Sequence, residues 1–219
     1  RFNVLQKLEI KAAQKALKIE HDEEEEKHTV PGSDVETISD KVSQQEEGAH
    51  IAAIFDLDRT LIRDFSAKRF VMSRLLSGQT TSKELLFQLA TVLLYSVGNR
   101  DFEVLTKVSA LGVKGIREKE FEALGKAIFE EYLSDTIYPE ARRLITSHLE
   151  KGHSVVIVSA ATIYQVQPFA DELGVKDVFY TKMEVKKGRF TGRIEEMCWG
   201  EGKAKAGKRF AKANSIDLS

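Results

Sequence analysis

One cysteine (Cys198), three prolines and one tryptophan are all that the 219 residues hold of the types that staple, break or anchor small folds. A single cysteine excludes an internal disulfide framework. The five histidines show no HExxH or other ligand spacing, so a structural zinc site is excluded as well. Lys and Arg (33) nearly balance Asp and Glu (34), which leaves no overall field to draw the chain to nucleic acid or an anionic membrane surface. No basic surface interleaved with aromatics supports nucleic-acid binding either. No uninterrupted apolar stretch reaches the roughly 20 residues of a bilayer span. The most apolar one, LLFQLATVLLYSVG at 85–98, is broken by Gln88 and reads as a buried helix, or else as a helix lying on lipid, the chain's own route to membrane contact. No charged n-region leads into an apolar run and cleavage site, and the lone thiol suits a reducing cytoplasm. The chain opens without methionine inside a helical pattern (VLQKLEIKAAQKALKIE, 4–20) and shows no closing feature after ANSIDLS. It therefore reads as a piece of a longer polypeptide with room for fused domains.

What is present changes character near His50. Residues 1–50 carry 7 basic and 12 acidic residues, including DEEEE at 22–26 and the Pro31-Gly32 pair, and read as a helix followed by an acidic disordered linker over 1–49. Beyond it, IAAIFDL (51–57), HSVVIVSA (153–160) and KDVFYT (176–181) are apolar runs rich in β-branched residues, the pattern of parallel strands covered on both faces. EVKKGRFTGRI (184–194) reads as a hairpin around Lys187-Gly188. Helical spacing fills YPEARRLITSHLEKG (138–152), ATIYQVQPFADELG (161–174) and GEGKAKAGKRFAKA (200–213); Pro168 is expected to kink the second or mark its true start. The segment between the first two strands is far longer than the roughly dozen residues a crossover needs. It is helical in pattern throughout, in SAKRFVMSRLL, FEVLTKVSALG and EKEFEALGKAIFEEYL, and reads as an inserted helical module over 64–136. The remainder, 50–63 and 137–219, forms an open α/β core.

In such sheets ligands sit beyond the carboxyl ends of the strands. The first strand delivers Asp56 and Asp58 there, the second Ser159. Two carboxylates this close repel unless a cation compensates, and a hard ion such as Mg²⁺ suits oxygen donors and keeps waters for a phosphate to displace. With phosphate in view, Asp56 fits a nucleophile and Asp58 an acid/base. The Ser159 hydroxyl with the adjacent backbone at Ala160 would hold phosphoryl oxygens, and Lys203 in GEGKA would neutralise them. Blander readings stand beside these: a solvated turn for the acids, a strand-end hydroxyl for Ser159, a solvated basic face for Lys203 beside Lys205, Lys208 and Arg209, and simple packing for Trp199. A calcium loop would need glycine at Leu61, and a Walker loop would need glycine at Met197 and Ser or Thr at Ala204.

DLDRTL, followed in order by VSAAT, TKMEVKKGRFTGRI and CWGEGKAKAGKRF, resembles the haloacid dehalogenase-like hydrolases, in particular the phosphoserine phosphatase-like branch, HAD-IB, from residue 51 to 219. The resemblance implies a Rossmann-like three-layer core with a helical cap, and a Mg²⁺-dependent phosphatase acting on a small phosphorylated substrate. It makes Asp56 the nucleophile, Asp58 the acid/base, Thr60 a support of the phosphate-binding loop, and Ser159, Ala160 and Lys203 the phosphate contacts. Metal would be bound by Asp56 and the Asp58 carbonyl. Two departures follow. An Asp-rich fourth motif is expected from about Ser219 onward, so this stretch alone is expected to bind Mg²⁺ weakly. Phe65 stands where phosphoserine phosphatases place a glutamate facing the substrate amine, which turns the expectation from phosphoserine toward a substrate with an apolar part, such as a phosphorylated lipid intermediate. The alternatives are a catalytically weak or inactive regulatory module of a multidomain lipid enzyme and a phosphoserine phosphatase proper.

Overall fold

The computed structural model describes residues 33–76 and 102–216, and elements are numbered within them. The helical pattern at 4–20, the acidic run and the apolar segment 85–98 lie outside the described residues. β1 (Ala52–Phe55), β2 (Ser154–Val158) and β3 (Asp177–Phe179) form a parallel sheet in the order β1-β2-β3, with Phe55 opposite Ile157 and Val158 opposite Phe179. β2 shows why the sequence forms a sheet with two covered faces. Its residues Val155, Val156, Ile157 and Val158 are all buried, and they alternate between two cores. Val155 and Ile157 join Leu57, Ile145, Val166 and Phe169, beneath α5 (Pro139–Glu150) and α6 (Ile163–Leu173). Val156 and Val158 meet Ala206 and Phe210 of α7 (Glu201–Ala213) on the opposite face. The architecture is thus the expected three-layer α/β core.

The hairpin pairs β4 (Lys182–Lys186) with β5 (Arg189–Glu196) around Lys187 and Gly188, both at positive φ. Between β1 and β2 the chain forms α2 (Ser66–Leu76), α3 (Phe102–Gly112) and α4 (Glu118–Ile128), the last running on through a π-helical turn, Phe129–Leu133. This helical module leaves and rejoins the core side by side, through an antiparallel bridge between Ile62 and Ile137 and the Tyr138 N–H donated to the Leu61 carbonyl at 3.0 Å.

Two expectations need correction. Pro168 neither starts nor ends α6, which begins at Ile163 after Thr162. Proline lacks the N–H that would bond the carbonyl four residues back, that of Tyr164. That carbonyl is the atom against which Gly125 of α4 is packed: a Cβ on Gly125 would lie 2.2 Å from it. The helix tolerates Pro168 where a neighbouring backbone covers the orphaned oxygen. Secondly, SDVETISDKVS, expected within the disordered linker, forms α1 (Ser33–Ser43), with Val42 buried and the helix lying along α5. Its polar composition hid an apolar pair, Ile38 and Val42, at helical spacing. The chain that follows is tied down by the Gly48 N–H donated to the Lys151 carbonyl (3.1 Å) and the Ser154 hydroxyl to the Ala49 carbonyl (2.7 Å). His153, buried, places Nε2 2.8 Å from the Glu46 carbonyl and Nδ1 2.9 Å from Nδ1 of His148. Burial and the neighbouring His153 push the His148 pKa down from 6.5.

Alanine at position 125 is expected to lower stability by about 1–3 kcal/mol, because its methyl must displace main chain rather than a pliable side chain; urea unfolding measures it. The same assay is expected to show stability complete above the ordinary histidine value and falling as the pH drops below it, since folded His148 binds its proton less tightly than the unfolded chain does. His148→Gln flattens that part of the profile.

Candidate active site

The loop after β1 is held from below. Leu57, Leu61 and Ile62 have no exposed surface, and the Leu57 carbonyl accepts the amides of Thr60, Leu61 and Ile62 at 3.2, 2.9 and 3.2 Å. Arg59, at φ 60°, turns the chain out of the strand direction, an uncommon conformation for a residue with a side chain. The guanidinium of Arg59 lies 4.8 Å from the centre of the Phe65 ring. Buried leucines below and a coiled backbone above leave Asp56 and Asp58 on the upper side, at the carboxyl end of the sheet.

Asp56 is half-exposed. Its Oδ1 accepts the Leu57 amide at 2.8 Å, and its Oδ2 pairs with Nζ of Lys203 at 2.7 Å. Lys203 arrives from a chain segment almost 150 residues away because α7 begins with a tight turn, the Gly202 amide donating to the Trp199 carbonyl at 2.8 Å. Gly200 adopts φ 52°, and a Cβ on Gly202 would sit 2.1 Å from the Met197 carbonyl, so that position admits only hydrogen. The reading of Lys203 as a merely solvated basic residue does not survive this ion pair.

Asp58 faces inward. Its Oδ1 accepts the Ser66 amide, the first of α2, at 2.7 Å, an anion on a helix N-terminus. Burial raises its pKa to about 6; the amide and hydroxyl of Ser66 oppose the rise, Asp56 adds to it, and Lys203 again opposes. Such a carboxyl exchanges a proton near neutrality, as an acid/base must. Ser159 is fully buried at the end of β2; its N–H donates to the Phe179 carbonyl (2.9 Å) and its Oγ accepts the Ala161 amide (3.1 Å). Ala160, partly exposed, begins the turn into α6. Thr60 is exposed, and its amide serves the loop through Leu57.

The donor set is one of hard oxygens. Among the described residues no group of three or more His, Cys, Asp or Glu side chains gathers as a metal site. Mg²⁺, however, commonly takes only one or two carboxylates and completes its shell with water and phosphate. Asp56 with the main chain at Asp58 fits that habit.

Sequence reasoning passed over three residues here. Trp199 packs as expected, its ring stacked on Phe102 of α3 at 4.2 Å between centroids, but it stays 48% exposed, with Nζ of Lys203 5.9 Å from the ring centre. Ser66 and Gln165, both buried, meet at 3.2 Å between Ser66 Oγ and Gln165 Nε2. The T-x-x-Q spacing of Thr162 and Gln165 is a capping pattern legible in the sequence; its partner Ser66 is not.

A family profile described as haloacid dehalogenase-like hydrolase matches residues 53–219. A Streptomyces azureus protein named inhibition of morphological differentiation protein is 31% identical over 173 residues, 77% of this chain and 62% of its own length. A Mycobacterium tuberculosis protein named phosphoserine phosphatase SerB1 is 30% identical over 179 residues, 76% of this chain and 56% of its own. The chain thus spans about three fifths of the curated relatives it matches. A solved structure titled as a phospho-aspartyl intermediate analogue of phosphoserine phosphatase superposes with a TM-score of 0.54 at 20% identity, covering 80% of this chain and 75% of that one; it shares the fold.

A carboxyl raised to about 6 binds its proton more tightly when folded, so its favourable contribution is complete below 3.8 and lost as the pH rises through 6. Above that, a buried charge remains. Asp58→Asn is therefore expected to raise the unfolding free energy of chelator-treated protein by about 1–2 kcal/mol at neutral pH and to change nothing well below pH 4, as read from denaturant midpoints.

Proposed function

The chain belongs to the haloacid dehalogenase-like hydrolases, and we propose that it is a phosphatase acting on small phosphomonoesters through a phosphorylated Asp56. The observation that carries this is the pairing of Asp56 with Lys203 at 2.7 Å beside a second acid whose pKa lies near 6.

In the first step an Asp56 carboxylate oxygen bonds to phosphorus, the ester P–O bond breaks, and the departing oxygen takes the proton of Asp58. In the second, water bonds to phosphorus as Asp58 withdraws its proton, and the bond to Asp56 breaks. Asp58 thus ends as it began, protonated. Lys203 orients the Asp56 carboxylate through their 2.7 Å pair before substrate arrives, and its ammonium then faces the charge gathered on the phosphoryl oxygens. In the turn after β2 the amides of Ser159, Ala161 and Thr162 are committed to the Phe179 carbonyl, Ser159 Oγ and Gln165 Oε1, so the remaining oxygens are assigned to Ala160 and the Ser159 hydroxyl, with Thr60 in the loop after β1. Asp56 and the main-chain carbonyl of Asp58 would hold Mg²⁺, which neutralises phosphate charge when bound.

The substrate we favour carries an apolar part. Phe65, 39% exposed and next in the chain to the Ser66 that meets Asp58, and Trp199, 48% exposed with its ring 5.9 Å from Lys203 Nζ, are large apolar surfaces on the elements that carry the acids and the lysine. No carboxylate occupies position 65 to meet an amine, which argues against phosphoserine even though a relative bears that name. A phosphorylated lipid-related metabolite fits these walls.

Full-length protein with Mg²⁺ is expected to release phosphate from an aryl phosphate, and Asp56→Asn to abolish release. Lys203→Met is expected to lower kcat by roughly 10²–10³, the scale of losing one charge-stabilising contact. Release by Asp56→Asn equal to wild type would sink the proposal, as would failure of beryllofluoride to load onto Asp56.

A further inference from the structure

The acid Asp58 is held by a chain of buried polar groups that reaches the opposite side of the site. Gln165, in the first turn of α6, has an amide whose orientation is decided by its neighbours. Its Oε1 lies 2.9 Å from the Thr162 N–H and 2.8 Å from Oγ1 of Thr162. A main-chain N–H can only donate, so the oxygen of the amide must face Thr162 and Nε2 must face the other way. There it meets Oγ of Ser66 at 3.2 Å. Nε2 is a donor only, so Ser66 Oγ accepts, and the one proton of that hydroxyl is left for Asp58. Its carboxylate accepts the Ser66 amide at 2.7 Å, and the Ser66 hydroxyl lies close enough to act on it as a further donor. Ser66 has no exposed surface and Gln165 is 8% exposed, so water does not compete at the link between them, while Asp58 and Thr162 at the two ends are partly exposed.

The three segments joined in this way are otherwise distant in sequence. Asp58 belongs to the loop after β1, Ser66 opens the first helix of the inserted module, and Gln165 and Thr162 follow the turn that carries Ser159. A single amide thereby sets the direction of every hydrogen in the chain. Were it replaced by an apolar side chain, the Ser66 oxygen would lose the donor that fixes it, and the direction from which its hydroxyl meets the carboxyl would no longer be set.

We infer that Gln165 is a positioning residue, which through the Ser66 hydroxyl fixes the Asp58 carboxyl in the orientation that serves the leaving oxygen, and ties it to the Ser159 turn. This rests on the phosphatase reading above and adds to it a residue that touches neither substrate nor phosphate.

The test compares two esters with the full-length protein: an alkyl phosphate, whose alkoxide departs only with a proton, and 2,4-dinitrophenyl phosphate, whose leaving group departs without one. The quantity read is kcat/KM, which reports events up to departure of the leaving group. Gln165→Met removes both polar groups, Gln165→Glu keeps an acceptor for Thr162 while removing the donor to Ser66, and Ser66→Ala keeps the amide contact alone. Each is expected to lower kcat/KM for the alkyl ester by about 10-fold or more, part of the roughly 10²–10⁴ attributable to acid–base catalysis. Each is expected to leave the dinitrophenyl ester within about 3-fold. The double variant Ser66→Ala/Gln165→Met is expected to fall no lower than the weaker single one, since both act through one chain of bonds. Equal losses on both esters, additive losses, or no loss overturn the inference while the phosphatase reading stands. A wild-type protein that cleaves neither ester overturns the reading and the inference with it. Should Gln165→Met not fold, as judged by thermal unfolding, Ser66→Ala and Gln165→Glu decide the matter by the same comparison.

Discussion

The site depends on the anchoring of one short loop. Leu57, Leu61 and Ile62 are drawn fully into the core while the Leu57 carbonyl gathers three successive amides above them. Apolar burial on this scale is worth about 1.5–3 kcal/mol for each such side chain, enough to hold Arg59 in a left-handed conformation that it would otherwise avoid. The turn sends Asp56 up the axis of β1 and Asp58 sideways, so two acids separated by one residue enter different surroundings. Asp56 meets a lysine and solvent; Asp58 meets a helix N-terminus and protein. Burial lifts the proton affinity of Asp58, while Asp56 is engaged by the ammonium of Lys203, so two identical side chains stand in unlike chemical surroundings.

Two of the contacts that tie the helices after β1 to the core are made by main chain. Ser66 offers its amide to Asp58, and Gly125 lays bare backbone against the Tyr164 carbonyl that Pro168 leaves without its helical partner. Backbone contacts of this kind fix distance and direction more narrowly than apolar side chains, which can repack. Phe102 on Trp199 adds an aromatic seam on the other flank, beside Lys203.

Much of this was legible in the sequence. The strand positions follow from apolar runs whose β-branched residues must be covered on both sides; Asp56, Asp58 and Ser159 were marked as soon as the strand ends were known, and Lys203 once a phosphate was supposed there. The helix Ser33–Ser43 was not legible, because charged and hydroxyl residues dominate it and its burial against α5 is a property of the partner surface. Trp199 does pack, as a lone tryptophan most often does, but only the fold shows that Phe102 meets it and that half of it stays open. Gln165 is the instructive case. Its capping partner Thr162 lies three residues away and could be found by inspection, whereas Ser66 lies 99 residues away and is reached only through the third dimension.

That separation explains why a buried glutamine belongs where it is. A glutamine in a core is costly unless each polar atom is met, and leaving one unpaired costs on the order of 1–3 kcal/mol. Here the oxygen is occupied by Thr162, the nitrogen by Ser66, and the serine in turn by Asp58. The chain of donors has one consistent direction because it starts from a main-chain N–H, which cannot be reversed, and it ends at a carboxylate, which can only accept when ionised. A leucine of similar volume would satisfy packing and spare the desolvation of the amide. The polar residue makes physical sense if the direction itself is what the fold secures, and the one group at the end of the chain that gains from a fixed direction is the acid beside Asp56.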